Sequence, residues 1–291
     1  MMKFEGVMPA LVTPLNADET LNVAALQKLL HDLLEQGADG FYIGGATGEG
    51  IALRREVREQ LAEECVKFVN HRKPCIIHIA STDFSEAVAL AKHAEKCGAD
   101  GVSAIPPIFF GYGEDEVYDY YKTLAEASNL PMMIYYNPAA KFTVNADFAA
   151  RAFGIENVTA IKWTSSDYYG MLMLKDLTHG EMNIINGKDE MLLMGLSAGA
   201  DGGIGTTYNL QMENIKKVYE LFKKGDIAAA QEAQIKADRI IRALLRYKTI
   251  PATKGALEAM GYPVGNAVFP MKRYTDAEKQ QILADLKAAG L

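Results

Sequence analysis

Eight short β-rich runs alternate with amphipathic helical stretches through the first three-quarters of this chain, and that alternation constrains its fold more than any other feature. The runs span residues 6–14, 39–45, 75–80, 101–107, 132–137, 159–164, 183–189 and 202–207. Helical patterns lie between them, among them 22–36, 55–70, 85–96, 114–128 and 211–224. Asn22 and Ser85 read as N-caps, and Gly98 and Gly225 as stop signals. Eight such units in roughly 220 residues match a (β/α)8 barrel. An open doubly wound sheet has fewer strands and a glycine fingerprint that is missing here. The segment Gly44-Gly45-Ala46-Thr47-Gly48-Glu49-Gly50 follows a strand, but its spacing is not GxGxxG and no Walker lysine follows. Beyond Gly225 the pattern is helical only, over 227–247, 252–260 and 276–289, with Pro251, Pro263 and Pro270 at the breaks. The expected architecture is an α/β TIM barrel over residues 1–224, with C-terminal helices 225–291 packed on it as one extended domain.

Composition removes several classes of function. With 291 residues, 49% of them hydrophobic and 23% charged, the chain is long enough for a large core. Its net charge of −7 and the lack of a basic or arginine-aromatic cluster argue against nucleic acid as a partner. Met1 to Gly6 carry no charged head followed by an apolar run, and no stretch of about 18 apolar residues occurs. The expectation is a cytoplasmic protein without a membrane partner. Three cysteines, Cys65, Cys75 and Cys97, lack ligand spacing and read as reduced thiols. The histidines His31, His71, His78, His93 and His179 form no HxH or HExxH pattern, so no metal is expected.

Lys162 interrupts the mostly apolar run Val158-Thr159-Ala160-Ile161. Burial disfavours the charged form of an amine, and a desolvated lysine is the nucleophile of Schiff-base chemistry on carbonyls. The competing reading is a buried stem whose ammonium reaches water. The ends of the other strands decide between them, because a barrel carries its functional side chains there. The glycine-rich turn with Thr47 offers N–H groups and a hydroxyl to a carboxylate or phosphate, or is simply a tight turn. Strand alternation puts Tyr135 with Met133 on one face and Tyr136 on the other; it groups Lys162 with Thr164 and sends Trp163 toward the helices. Asp189 and Glu190 follow Gly187, either as carboxylates at the barrel mouth or as helix N-terminal charge. Gly202-Gly203-Ile204-Gly205-Thr206-Thr207 is a second close-approach turn with hydroxyls. Five polar strand ends in functional positions are hard to explain as packing, and they favour the nucleophile.

Together these residues resemble the N-acetylneuraminate lyase and dihydrodipicolinate synthase superfamily of class I pyruvate-dependent aldolases, and within it the lyases. The similarity runs from Gly6-Val7-Met8-Pro9 to the helical tail, with the GGxTGE turn, the strand-five Tyr, the strand-six Lys and the GADGGIG segment at 199–205 in the expected order. The resemblance implies that Lys162 forms the Schiff base and that Tyr135 is the acid/base phenol. Ala46, Thr47 and neighbouring N–H groups would bind the carboxylate of a 2-oxo acid. Thr164, Gly187, Asp189, Glu190, Gly205 and Thr206 would contact the sugar chain. It further implies no cofactor, a homotetramer, and cleavage of a 2-oxo-3-deoxy sugar acid, foremost N-acetylneuraminate, to pyruvate and a sugar aldehyde. A 2-keto-3-deoxygluconate type of aldolase or dehydratase, dihydrodipicolinate synthase, and a non-catalytic sugar-acid-binding barrel are the alternatives. Ala140 stands where the synthase has its second-carboxylate arginine, beside Lys141. Ala46 replaces the family's Ser or Thr, and Phe109-Phe110 stand where a neighbouring subunit's Tyr completes a hydroxyl relay.

Overall fold

The structure, a computed structural model, describes residues 3–138 and 140–291, so Met1 and Met2 of the N-terminal reading lie outside it. Eight parallel strands make one sheet: β1 Gly6–Pro9, β2 Phe41–Ile43, β3 Cys75–His78, β4 Gly101–Ala104, β5 Met132–Tyr136, β6 Val158–Trp163, β7 Asn183–Asn186 and β8 Gly202–Gly205. Neighbours pair in sequence order from β2 to β8, and β8 pairs back to β1. The ring closes through a bridge between Ala10 and Tyr42, with the Leu11 N–H donating to the Tyr42 carbonyl at 2.9 Å. The strands are shorter than the β-rich runs of the sequence, because the residues after each leave the ladder to form the mouth loops.

Strand parity builds two cores. Phe41, Ile43, Ile77, Val102, Ile134, Tyr136, Ile161, Trp163 and Ile184 face the surrounding helices, whereas Met8, Tyr42, Ile76, Met133, Tyr135, Ala160, Ile185 and Ile204 fill the barrel lumen. Each strand is therefore buried on both faces, as a barrel strand must be. The outer layer is α1 Val23–Glu35, α2 Arg55–Val69, α3 Phe84–Lys96, α4 Glu114–Glu126, α5 Ala146–Phe153, α6 Tyr168–Leu177, α7 Leu192–Ser197 and α8 Tyr208–Lys223. Three further helices, α9 Ile227–Leu244, α10 Thr249–Ala259 and α11 Asp276–Ala288, form the C-terminal extension.

Local signals act mostly where expected. Asn22 caps α1 by accepting from the Ala25 N–H, and Gly98 and Gly225 have φ of +82° and +80°. The cap of α3 is Asp83 rather than Ser85: its carboxylate accepts from the Ser85 N–H at 2.9 Å, and Ser85 itself already lies in the first helical turn. Pro251 lies inside the first turn of α10, where its missing N–H costs no helix bond, so it does not mark the break before that helix. No helix among the described residues is long and apolar enough to cross a membrane.

Candidate active site

Lys162 enters the site from the penultimate position of β6, its side chain on the lumen parity shared with Ala160 and the residue itself 4% exposed. β5 and β6 pair in a register that sets Tyr135 directly beside Lys162. The amine nitrogen lies 4.3 Å from the centre of the Tyr135 ring and 4.5 Å from that of Tyr42. Asn137, just past the end of β5, donates from Nδ2 to the Tyr135 phenol oxygen at 3.0 Å. That donation leaves the phenol's own proton free to point elsewhere.

The glycine-rich turn after β2 forms one wall. Gly44 takes φ of +69°, and Thr47 is buried with its hydroxyl 2.6 Å from that of Thr206, which follows β8. Two turns far apart in sequence are thus brought together at one hydroxyl pair. Thr13 donates to the Gly48 carbonyl at 2.6 Å and steadies the turn from β1's side. Glu49 ends it in a left-handed conformation (φ +61°), unusual for a side-chain-bearing residue and held by fully buried bonds. Its carboxylate accepts from Lys254 of α10 at 3.0 Å and from the Val268 N–H at 2.6 Å. The C-terminal extension therefore clamps the turn that carries Thr47. Ala46, by contrast, is exposed at the tip.

The opposite wall comes from the loops after β6, β7 and β8. Asp189 is buried and accepts from both the N–H and the hydroxyl of Thr207, at 2.7 and 2.6 Å. Burial raises its carboxyl to about 6, against the two Thr207 bonds, which favour the carboxylate. Gly205 has no alternative here: a Cβ would collide with the Asp189 carboxylate and the Tyr208 ring. A Cβ at Gly187 would likewise strike the Thr164 hydroxyl, whose oxygen is buried without a hydrogen-bond partner. A substrate hydroxyl would satisfy it. Glu190 is half-buried and pairs with Lys188 at 3.3 Å.

The sequence-predicted residues thus divide. Lys162 and Tyr135 form the centre, Thr47 meets Thr206 on one side, and Asp189, Gly205, Gly187 and Thr164 cluster on the other. Ala46 contributes no side-chain hydrogen bond. Lys141 lies over the Phe109 ring at 5.9 Å, and Phe109 and Phe110 are 74% and 62% exposed. Two lumen residues escape sequence reasoning: Tyr42, and His78 of β3, which was weighed only as a metal ligand. Parity held the clue, since both alternate with helix-facing apolar residues. Neither His78 nitrogen meets a partner at hydrogen-bond geometry. Burial, together with the Arg58 guanidinium, holds it well below the usual histidine range and so neutral. Among the described residues no three His, Cys, Asp or Glu side chains are grouped to hold a metal ion.

A family model described as the dihydrodipicolinate synthetase family matches residues 3–289. The N-acetylneuraminate lyase of Rhizobium meliloti (strain 1021) is 32% identical over 279 residues, covering 95% of this chain and 92% of that protein. Among solved structures, the Proteus mirabilis N-acetylneuraminate lyase superposes with a TM-score of 0.94 at 29% identity, covering 99% of each chain. YagE, a prophage protein of the dihydrodipicolinic acid synthase family from E. coli K12 crystallised with pyruvate, gives 0.93 at 25% identity, again covering 99% of each. Fold and likeness together define a class I aldolase, a carbon–carbon lyase. The chain belongs to the dihydrodipicolinate synthetase family.

Proposed function

We propose that this aldolase cleaves a 2-oxo-3-deoxy sugar acid, foremost N-acetylneuraminate, reversibly to pyruvate and N-acetylmannosamine. The observation that carries the reading is the buried Lys162 amine, set beside the Tyr135 phenol by strand register and facing a wall of hydroxyls and one carboxylate. In this reading Thr47 and adjoining N–H groups hold the substrate carboxylate, with Ala46 at the rim. The amine adds to C2, water leaves, and the resulting iminium accepts the electron pair released when C3–C4 breaks. Tyr135 takes the C4 hydroxyl proton as the aldehyde forms. The enamine is then protonated at C3, and water hydrolyses the iminium to release pyruvate and the free lysine. The iminium is itself the electron sink, so the cycle calls for no cofactor. Asp189, Thr164, Thr206 and Glu190 meet the polyol, with Gly187 and Gly205 making room for the Thr164 and Asp189 side chains beside it.

Support for the pyruvate half comes from the pyruvate complex of the E. coli relative, and for the sugar half from the lyases among the relatives. One observation favours a second reading. Glu190 is already paired with Lys188, which reduces its value to a long polyol and suits a shorter acid of the 2-keto-3-deoxygluconate type. We also infer self-association, foremost as a homotetramer, because the exposed Phe109 and Phe110 pair is an apolar tip that a neighbouring subunit would cover. The test couples pyruvate release from each sugar acid to lactate dehydrogenase, with Lys162→Ala as control. Lysine-dependent turnover of N-acetylneuraminate supports the first reading, and turnover of only the shorter acid supports the second. Pyruvate trapped on Lys162 with no release from any acid would leave a binding barrel.

A further inference from the structure

We propose that Tyr42 is a further catalytic residue: with Tyr135 it makes an aromatic enclosure around the Lys162 nitrogen, closed on a third side by His78, that holds the cationic iminium. The inference rests on the Schiff-base reading above. Its basis is geometric. The Tyr42, His78 and Tyr135 ring centres stand 5.8, 6.0 and 6.2 Å apart, a nearly equilateral triangle contributed by β2, β3 and β5. Tyr135 meets both other rings edge-on, at 81° and 84°. The Lys162 nitrogen lies over two of these rings, within the range at which a ring quadrupole attracts a cation.

The enclosure is held from outside the site. The Tyr42 hydroxyl donates to the Ser103 hydroxyl at 3.0 Å, and Gly45 presses so closely on the ring that any side chain at that position would collide with it. Burial and the neighbouring Tyr135 push the Tyr42 phenol well above its ordinary range, so it stays neutral and offers its ring rather than its proton. His78 is neutral as well and does not repel a positive nitrogen at the third side. The charge balance then explains why rings suit this position. The carbinolamine formed by amine addition is neutral, and positive charge appears on nitrogen only as water departs. It disappears again when the C3–C4 electrons flow in. Rings around that nitrogen favour the charged species relative to the neutral ones on either side of it, in a lumen from which water is largely excluded.

The test replaces Tyr42 with phenylalanine and with its mono-, di- and trifluorinated analogues, a series that holds ring shape nearly constant while draining the negative face. Each protein is mixed with sub-saturating pyruvate, reduced with borohydride, and the adduct on Lys162 is quantified by intact mass. The expected result is a stepwise fall in the apparent iminium constant, about 3- to 30-fold across the series. A flat series, with phenylalanine and the trifluoro form trapping equally, would overturn the inference, because a packing role is indifferent to ring charge. Absence of any adduct in the unmodified protein would instead overturn the Schiff-base reading itself.

Discussion

Replacing Lys254 with methionine tests how the glycine-rich turn that carries Thr47 is held. The Lys254 and Glu49 side chains are 1% and 0% exposed, so the substitution leaves a carboxylate in the interior with the Val268 N–H as its remaining bond. It also orphans the Asn266 carbonyl, to which Lys254 donates at 2.7 Å. Breaking a buried pair on one side costs about 3–5 kcal/mol. Burial holds the Lys254 ammonium below its ordinary range even though Glu49 pulls it up, so the attraction does not fully repay desolvation. Neutralising the stranded carboxylate, as Glu49→Gln in the same chain, is therefore expected to recover about half of the loss or more, since the uncompensated charge is the larger part of it. Urea unfolding of the two single variants and the double variant at one protein concentration gives the coupling. In the pyruvate-release assay, Lys254→Met should raise KM more than it lowers kcat, because Thr47 rides on the loosened turn while Lys162 does not. A cost below about 1 kcal/mol, or a double variant no more stable than Lys254→Met, would refute the argument.

The remaining predictions concern the sugar wall and the exposed tip. Asp189 should make KM for the sugar acid rise as pH falls below about 6, as its carboxylate protonates, and Asp189→Asn should abolish that inflection in a pH series of initial rates. The sign for stability is opposite. A carboxyl raised from 3.8 binds its proton more tightly in the folded chain, so its contribution is full below 3.8 and is lost as pH climbs through about 6. The thermal midpoint of Asp189→Asn should accordingly gain on that of the parent across this window. Gly205→Ala, which drives a methyl into Asp189 and Tyr208, should destabilise by about 1–3 kcal/mol and cut turnover at least tenfold, read by unfolding and the coupled assay. Joint replacement Phe109→Asp/Phe110→Asp should lower the sedimenting mass in velocity ultracentrifugation, and an unchanged mass would refute a subunit contact at that tip.

Much of the site was legible because strand parity and strand ends are local properties. A two-residue period sufficed to part Tyr135 from Tyr136 and Lys162 from Trp163, and the structure keeps each pair on opposite faces, Tyr135 and Lys162 in the lumen. The same period, applied to Phe41-Tyr42-Ile43 and Ile76-Ile77-His78, would have flagged Tyr42 and His78. They were passed over because a tyrosine or a histidine in a strand is an ordinary core residue until its neighbours are known. The Asp83 cap was missed for a smaller reason: Asp83 and Ser85 are both good caps, and only backbone geometry selects the one whose oxygen reaches an unpaired N–H.

The sequence alone determined the eightfold alternation, the two buried faces of each strand and the residues delivered to the barrel mouth, since these follow from side-chain hydrophobicity and the pleat. What met what at the mouth was decided by tertiary structure. Glu49 finds Lys254 across 205 positions, Thr47 finds Thr206 across 159, and Tyr42, His78 and Tyr135 converge from three strands. Such pairings depend on ring closure and on how the C-terminal helices seat, and a chain read one residue at a time carries no term for either.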